Sequence, residues 1–163
     1  MRTYEADDAM TVNDRLVMRR AERTEVTRGG AVHSLPYLGE WNSETAVVTT
    51  GQTVFQPGGE LQLHSHNVDE SVLVLEGEAQ VQIGEEYTDL VAGDATWVKA
   101  GTPHRFLNRG TGVMRIYWVY AGRTVTRTLA ATGETVSHLD EMVRGGLVPE
   151  LPADRSGGAR DDG

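Results

Sequence analysis

The chain has 163 residues, which is enough for one domain with its own hydrophobic core and short for two. It contains no cysteine, which excludes disulfide frameworks, iron–sulfur clusters, thiolate zinc fingers and thiolate nucleophiles. Its formal net charge of −9 argues against a nucleic acid or an anionic membrane as the main partner. Any metal ion bound here must therefore take its ligands from histidine, aspartate and glutamate side chains.

The two ends of the chain differ in composition from its middle. Residues 1–15 are acidic at the start and lack the apolar region of a secretory signal, and we expect them to be flexible. Residues 149–163 are polar and rich in glycine, and we expect them to be disordered. No apolar run reaches the roughly 18 residues of a membrane span. Together with the absence of cysteine, this predicts a cytoplasmic protein with one folded domain over residues 16–148.

Short runs of β-forming residues, separated by glycine, fill the chain from residue 49 to residue 120. Their spacing of about 8–12 residues is typical of an all-β sandwich or barrel. No helical segments alternate with them, which disfavours a parallel α/β sheet. One short helix is predicted near the C-terminal end, where Ser137 is a suitable N-cap and Gly145-Gly146 supplies the stop.

The segment of residues 71–75, SVLVL, is apolar on both faces after its first residue. A strand of this kind is covered on both sides, with one face toward the interior and the other against a second layer or a second subunit. We therefore predict that the protein forms a homodimer.

Three of the five histidines fall in a pattern that suits metal binding. His64 and His66 are two residues apart, so in a strand both imidazoles point to the same face. Glu70 leads the apolar segment 71–75, where a carboxylate is costly unless it is paired or bound to a metal. His104 follows a turn that contains glycine and proline. This ligand set suits one divalent transition ion (Fe, Mn, Ni, Cu, Co or Zn) and leaves about two positions for water, dioxygen or substrate.

The spacing of these residues resembles the two motifs of the cupin superfamily. The first motif is G-x5-H-x-H-x3,4-E-x6-G, and it is matched by Gly58, His64, His66, Glu70 and Gly77. The second is G-x5-P-x-G-x2-H-x3-N, and it is matched by Gly93, Gly101, His104 and Asn108. Its usual proline is replaced by Lys99. The resemblance implies an antiparallel jelly-roll β-barrel that holds one metal ion on His64, His66, Glu70 and His104.

Further side chains are expected beside the metal. Gln62 shares the face of His64, and Phe106 shares the face of His104, so both are candidate substrate-pocket residues. Along residues 114–120, alternate side chains face inward, and the choice lies between Arg115, Tyr117, Val119 and Ile116, Trp118, Tyr120. The second choice adds Trp118 and Tyr120 to the pocket. The remaining histidines, His33 and His138, have no ligand partners nearby in sequence and are expected at the surface.

Cupins are functionally diverse, so neither the fold nor the ligand set names a reaction. We favour a metal-dependent enzyme that carries out an oxygenase-type reaction on a small organic substrate, with Glu70 as a ligand and as a catalytic base. One alternative is a redox-neutral isomerase, cyclase or lyase that uses the ion as a Lewis acid. The other is a small-molecule-binding protein without catalysis.

Overall fold

In the computed structural model, the described part of the chain is residues 17–144. The expected flexible segment 1–15, the expected disordered tail 149–163 and the predicted helix stop Gly145-Gly146 lie outside it. Between these limits there are twelve β-strands, a short 3₁₀ turn at Arg20–Glu22 and one α-helix. None of the helical segments in this range is long and apolar enough to cross a membrane.

The secondary-structure elements follow one another in a fixed order along the chain. They are β1 (Val26–Thr27), β2 (Val32–Leu38), β3 (Thr49–Phe55), β4 (His64–His66), β5 (Glu70–Glu76), β6 (Glu78–Ile83), β7 (Glu86–Val91), β8 (Ala95–Val98), β9 (His104–Leu107), β10 (Met114–Tyr120), β11 (Thr126–Leu129), β12 (Thr135–Ser137) and α1 (His138–Arg144). The helix begins as predicted, because the Ser137 hydroxyl accepts a hydrogen bond from the Leu139 amide at 3.2 Å.

The strands form two six-stranded antiparallel sheets. The first has the order β1-β2-β3-β10-β5-β8, and the second has the order β12-β11-β4-β9-β6-β7. Between β3 and β11 the chain crosses repeatedly from one sheet to the other, so that residues close in sequence face each other across the interior. The prediction of an all-β antiparallel barrel of jelly-roll type with a short C-terminal helix is confirmed.

Strand β5 alternates between the interior and the surface. Val72 and Val74 belong to the core, whereas Leu73 and Leu75 are 39% and 40% exposed. No second layer covers the outer face of this strand among residues 17–144, so of the two coverings that the sequence predicts only a second subunit remains open. Trp97 on the neighbouring strand β8 is exposed on the same sheet. The homodimer stays a prediction.

Strand β10 lies at the centre of the first sheet, between β3 and β5. Its burial alternates regularly, and the buried residues are Met114, Ile116, Trp118 and Tyr120. Of the two registers that the sequence leaves open, the structure adopts the one with Trp118 and Tyr120 inward. Trp118 and Tyr120 therefore face the second sheet, which carries His64, His66 and His104.

The turn between β5 and β6 depends on a glycine. Gly77 has a φ of +79°, in the region that side chains rarely adopt, and a Cβ there would lie 2.4 Å from the carbonyl oxygen of Val113. Both the backbone conformation and the close approach of the next loop therefore require glycine. This turn passes the chain directly from the first sheet to the second.

Asn108, which follows β9, ties the loop between β9 and β10 to the end of β3. Its side-chain amide donates to the carbonyl oxygens of Phe55 at 3.0 Å and Gly112 at 2.8 Å, and its side-chain oxygen accepts from the Gly110 amide at 3.0 Å. The side chain is buried, so water cannot replace these bonds if they are lost. The motif asparagine is thus a structural residue here.

We expect Asn108→Ala to lower the free energy of unfolding by about 1–3 kcal/mol, because it leaves the Phe55 carbonyl without its donor in the interior. Urea denaturation followed by circular dichroism measures the change. Asn67→Ala is the matched control, since exposed Asn67 also makes hydrogen bonds to two backbone groups and water can take them over. Equal losses in the two variants would contradict the structural role of Asn108.

Candidate metal centre

Two neighbouring strands of the second sheet bring three histidines together. His64 on β4 lies directly opposite His104 on β9 in the antiparallel ladder, and His66 points to the same side of β4 two residues later. The ring centroids are 4.7 Å apart for His64 and His104 and 4.9 Å apart for His64 and His66. One ring nitrogen from each of the three lies within 4.8 Å of the others, and all three side chains are buried.

Backbone carbonyl groups fix the orientation of the three rings. Nδ1 of His64 lies 2.7 Å from the Gln62 oxygen, Nδ1 of His66 lies 2.9 Å from the Thr126 oxygen, and Nδ1 of His104 lies 2.9 Å from the Thr102 oxygen. A carbonyl oxygen can only accept, so each Nδ1 carries the hydrogen and donates it. In the neutral ring the lone pair is then on Nε2, which is the arrangement that metal-ligating histidines use.

Glu70 approaches this group from the opposite sheet. It begins β5, it is 5% exposed, and its Oε2 lies 2.6 Å from Nε2 of His104. The Nδ1 hydrogen of His104 is donated to Thr102, so in the neutral ring Nε2 carries a lone pair that faces the Glu70 carboxylate. A positively charged group between these two atoms is needed to make so short a contact favourable. A proton on Nε2 or a metal ion can supply it.

The pKa values of the three imidazoles follow from burial and from Glu70. Burial, followed by repulsion from the two neighbouring rings, holds the pKa of His64 well below its ordinary value. Burial also lowers the pKa of His66. Burial opposes the charged form of His104 as well, but Glu70 and the Thr102 carbonyl together outweigh it and raise the pKa of this residue. His64 and His66 are therefore neutral at pH 7 and can act as ligands.

The donor set fits a divalent transition ion. Nε2 of His66, Nε2 of His104 and Oε2 of Glu70 are buried without a hydrogen-bond partner of good geometry among residues 17–144. Buried polar atoms of this kind are rare in native proteins and call for an explanation such as an ion. Imidazole and carboxylate ligands suit Fe, Mn, Ni, Cu, Co and Zn alike, so the chemistry of the donors does not select one metal.

Comparison with known proteins agrees with this geometry. The family model described as Cupin domain matches residues 42–120, which include all four proposed ligands. The chain contains a cupin domain. No protein of curated function matches the sequence at a significant level.

Several solved structures resemble this fold. A sugar phosphate isomerase from a cupin superfamily of Silicibacter pomeroyi is 23% identical, with a TM-score of 0.57 over 71% of this chain and 80% of that one. An RmlC-like cupin from Shewanella frigidimarina is 17% identical, with a TM-score of 0.57 over 66% and 90%. An oxalate decarboxylase variant from Bacillus subtilis is 16% identical, with a TM-score of 0.58 over 64% and 28%. At these identities the similarity concerns the fold.

The turn before His104 is closed by backbone hydrogen bonds, with Lys99 at the position where the motif has proline. The Thr102 amide donates to the Lys99 carbonyl at 3.1 Å, and the Gly101 amide donates to the His66 carbonyl at 2.8 Å. Gly101 has a φ of +78°, which glycine adopts without strain. The turn is thus tied directly to the strand that carries two of the proposed ligands.

The cupin cavity contains three of the four predicted pocket residues. Phe106, Trp118 and Tyr120 line it together with His64, His104 and Glu70. Gln62 does not enter the cavity: its side chain is exposed, and the inward orientation predicted for it is wrong. The alternation fails there because β4 begins only at His64, so Gln62 lies in a loop and its contribution to the site is its backbone carbonyl.

His138 was expected at the surface, and the structure corrects this. Its side chain is 3% exposed, and its ring lies against Tyr120 and Trp118, with centroid distances of 5.2 Å and 5.5 Å. Burial, followed by the nearby Arg28 guanidinium, holds the pKa of His138 well below its ordinary value. The residue is the first of α1, and its ring packs the start of the helix against Trp118 and Tyr120 of β10.

Three charged residues at this end of the cavity were not identified from the sequence. They are Arg28 after β1, Arg127 on β11 and Glu141 on α1, and all three line the cavity. One signal was available, because His138 and Glu141 are three residues apart and share a face of α1. No local pattern, however, connects Glu141 with either arginine.

We expect the metal-free protein to lose stability as the pH falls below about 6.5, the ordinary pKa of histidine. His64, His66 and His138 have lowered pKa values, so the unfolded chain binds more protons than the folded one in this range. The raised pKa of His104 acts in the opposite direction, because its contribution is full at low pH and is lost as the pH rises through the folded value. Because three pKa values are lowered and one is raised, we expect the net effect of the histidines to be a loss of stability at low pH.

Urea midpoints measured between pH 5 and pH 8 test this expectation. The midpoint should fall toward pH 5, and the fall should be shallower in His138→Gln, which removes one of the three lowered groups. Carboxylates titrate in both proteins, so the difference between the two curves isolates the histidine. Parallel curves would contradict the buried neutral state of His138.

Proposed function

We propose that this cupin is a metal-dependent enzyme that acts on a small organic substrate, by an oxygenase-type reaction. The observation that supports this is the common direction of three buried Nε2 atoms, each with its Nδ1 hydrogen donated to a backbone carbonyl. Ligands that are oriented in advance and leave coordination positions free favour reactivity over a purely structural role.

The side chains of the cavity have different roles in the proposed reaction. His64, His66 and His104 hold the ion, and the aromatic side chains of Phe106 and Trp118 exclude water from one side of it. A bound divalent ion would supply Lewis acidity and, if it is redox-active, a route for electrons from substrate to dioxygen. The Tyr120 hydroxyl stays protonated, because burial, followed by the charge of Glu70, raises its pKa well above the ordinary value.

Glu70 has a second proposed role as the proton acceptor. It is the only carboxylate in direct contact with one of the three histidines among the described residues. A carboxylate at this position can accept a proton from a substrate bound beside the ion. Glu70→Gln removes the base and keeps the shape, so it should lose turnover even after the variant is reconstituted with metal; retention of both metal and activity would exclude the role.

Metal content and oxygen dependence test the proposal. Protein purified without chelator should contain about one transition ion per chain by elemental analysis, and an absence of stoichiometric metal would overturn the proposal. Once a substrate is found, its turnover should stop under anaerobic conditions. Turnover that persists without oxygen, with the substrate's oxidation level unchanged, would favour the isomerase, cyclase or lyase alternative. Saturable binding without conversion under either condition would favour a non-catalytic binding protein.

A further inference from the structure

A carboxylate held by two arginines closes the cavity at the end covered by α1. Glu141 uses both of its oxygens: Oε2 lies 2.5 Å from an Nη1 nitrogen of Arg28, and Oε1 accepts a hydrogen bond from Nη2 of Arg127. The side chains of Arg28 and Glu141 are each 10% exposed, and that of Arg127 is 20% exposed. The three residues come from the segment after β1, from β11 and from α1, so the contact is made by tertiary packing.

The arginine pair, Arg28 and Arg127, faces the metal centre. Arg127 lies directly opposite His66 in the ladder between β11 and β4, and side chains at directly opposite positions share one face of a sheet. Both arginines line the same cavity as His64 and His104. A group bound by the arginine pair is therefore beside the proposed metal position.

The arginine pair has more capacity for anions than Glu141 uses. Two guanidinium groups face the one carboxylate of Glu141, so this carboxylate does not engage all of their N–H donors. Nε of Arg127 is buried and has no hydrogen-bond partner within residues 17–144. Guanidinium groups bind carboxylates through paired N–H donors, and an unused buried donor is costly unless a ligand engages it at some stage.

The cavity beside the metal centre is small while Glu141 is in place. The space next to the metal centre is ≈ 30 Å³, whereas pockets for organic ligands are typically about 300–1,000 Å³. Arg28, Arg127 and Glu141 also line an open depression of ≈ 590 Å³. A substrate that enters from this depression meets the arginine pair before it reaches the metal.

We propose that Arg28 and Arg127 are the binding site for a substrate carboxylate, and that Glu141 occupies this site until the substrate displaces it. The inference rests on the proposed function, because it assumes that a small organic substrate enters the cavity. It adds the chemical class: an organic acid whose carboxylate binds the arginine pair while the rest of the molecule reaches toward the ion. A carboxylate is favoured over a phosphate because the resident group is itself a carboxylate.

Acetate binding to metal-free protein tests the arginine pair without interference from the ion. Glu141→Ala removes the resident carboxylate, and it should bind acetate about tenfold more tightly than the unaltered protein in calorimetric titration. Arg127→Gln added to Glu141→Ala should abolish the gain. Arg109→Gln in the same background is the matched control, because Arg109 is exposed and pairs with Glu60 at the surface, and it should leave the gain intact.

The thermal midpoint provides a second measurement, because Glu141→Ala leaves two cations without their partner and is expected to be less stable. Acetate should raise the melting temperature of Glu141→Ala more than the same concentration of chloride does, and it should have no such effect after Arg127→Gln is added. Glu141→Gln, which keeps the size of the side chain, should show a smaller gain of the same kind.

Three outcomes would overturn the proposal: acetate binding that is no tighter in Glu141→Ala, a gain that survives Arg127→Gln, or inorganic phosphate that binds more tightly than acetate. Metal content measured on the same variants separates this proposal from the proposed function. Acetate binding without stoichiometric metal would support the arginine site and overturn the metalloenzyme. Stoichiometric metal without a gain in acetate binding would support the metalloenzyme and overturn the arginine site.

Discussion

His64→Ala should purify with far less than one transition ion per chain, where the unaltered protein carries about one. His64 is the central member of the group, since its ring lies next to both His66 and His104. Removal of a residue that hydrogen-bonds to a metal ligand typically lowers the affinity for the metal 10–100-fold. Removal of the ligand itself should lower it further. Elemental analysis after equilibration with a defined concentration of free metal measures the effect.

His33→Ala is the matched control for this experiment. His33 is on β2, outside the group that the three buried histidines form, so its replacement should leave the metal content unchanged. His66→Ala and His104→Ala should behave like His64→Ala. If all four variants retained the same amount of metal, the ion would have to bind elsewhere, and the proposed centre would be wrong.

Trp118→Ala should lower the free energy of unfolding by about 3–5 kcal/mol, the usual cost of truncating a buried aromatic side chain. The Trp118 ring is stacked on Tyr120 with a centroid distance of 4.8 Å and contacts His138 edge-on. Its Nε1 donates to the Thr53 hydroxyl at 3.0 Å. Truncation leaves a cavity between the two sheets, and partial relaxation of the neighbours cannot fill it.

Urea denaturation of metal-free protein measures this loss without a contribution from ligand binding. Trp97→Ala is the control, because Trp97 is 59% exposed and its removal should change the free energy by less than about 0.5 kcal/mol. Trp118→Phe keeps a ring in place but loses the hydrogen bond to Thr53, so its stability should lie between the other two. A small effect of Trp118→Ala would show that Trp118 does not pack as the structure has it.

The proposed ligands were predictable from the sequence because they depend on local spacing. In a strand, residues two apart share a face, so the arrangement of His64 and His66 follows from two positions in the chain. His104 and Glu70 follow from the motif that they complete. The same rule placed Phe106 correctly and failed at Gln62, where the chain is not yet a strand.

The charged end of the cavity was not predictable in the same way. Arg28 and Glu141 are separated by 113 positions, and they meet only because α1 packs across the end of the barrel. His138 was assigned to the surface because a lone histidine on a short helix gives no indication of what the helix covers. The outer face of β5 was also not fully predictable. Its leucines indicate that something covers this face, but their pattern does not say whether the cover is part of the same chain or a second subunit.

The four proposed ligands belong to different layers of the barrel, with the imidazoles on one sheet and the carboxylate at the start of a strand of the other. An ion bound by all four would cross-link the two sheets. Separation of the layers, which any large opening of the barrel requires, would then have to break a coordination bond first. Metal occupancy would therefore govern the lifetime of the closed barrel, and amide hydrogens of β4 and β5 would exchange with solvent more slowly in the loaded protein.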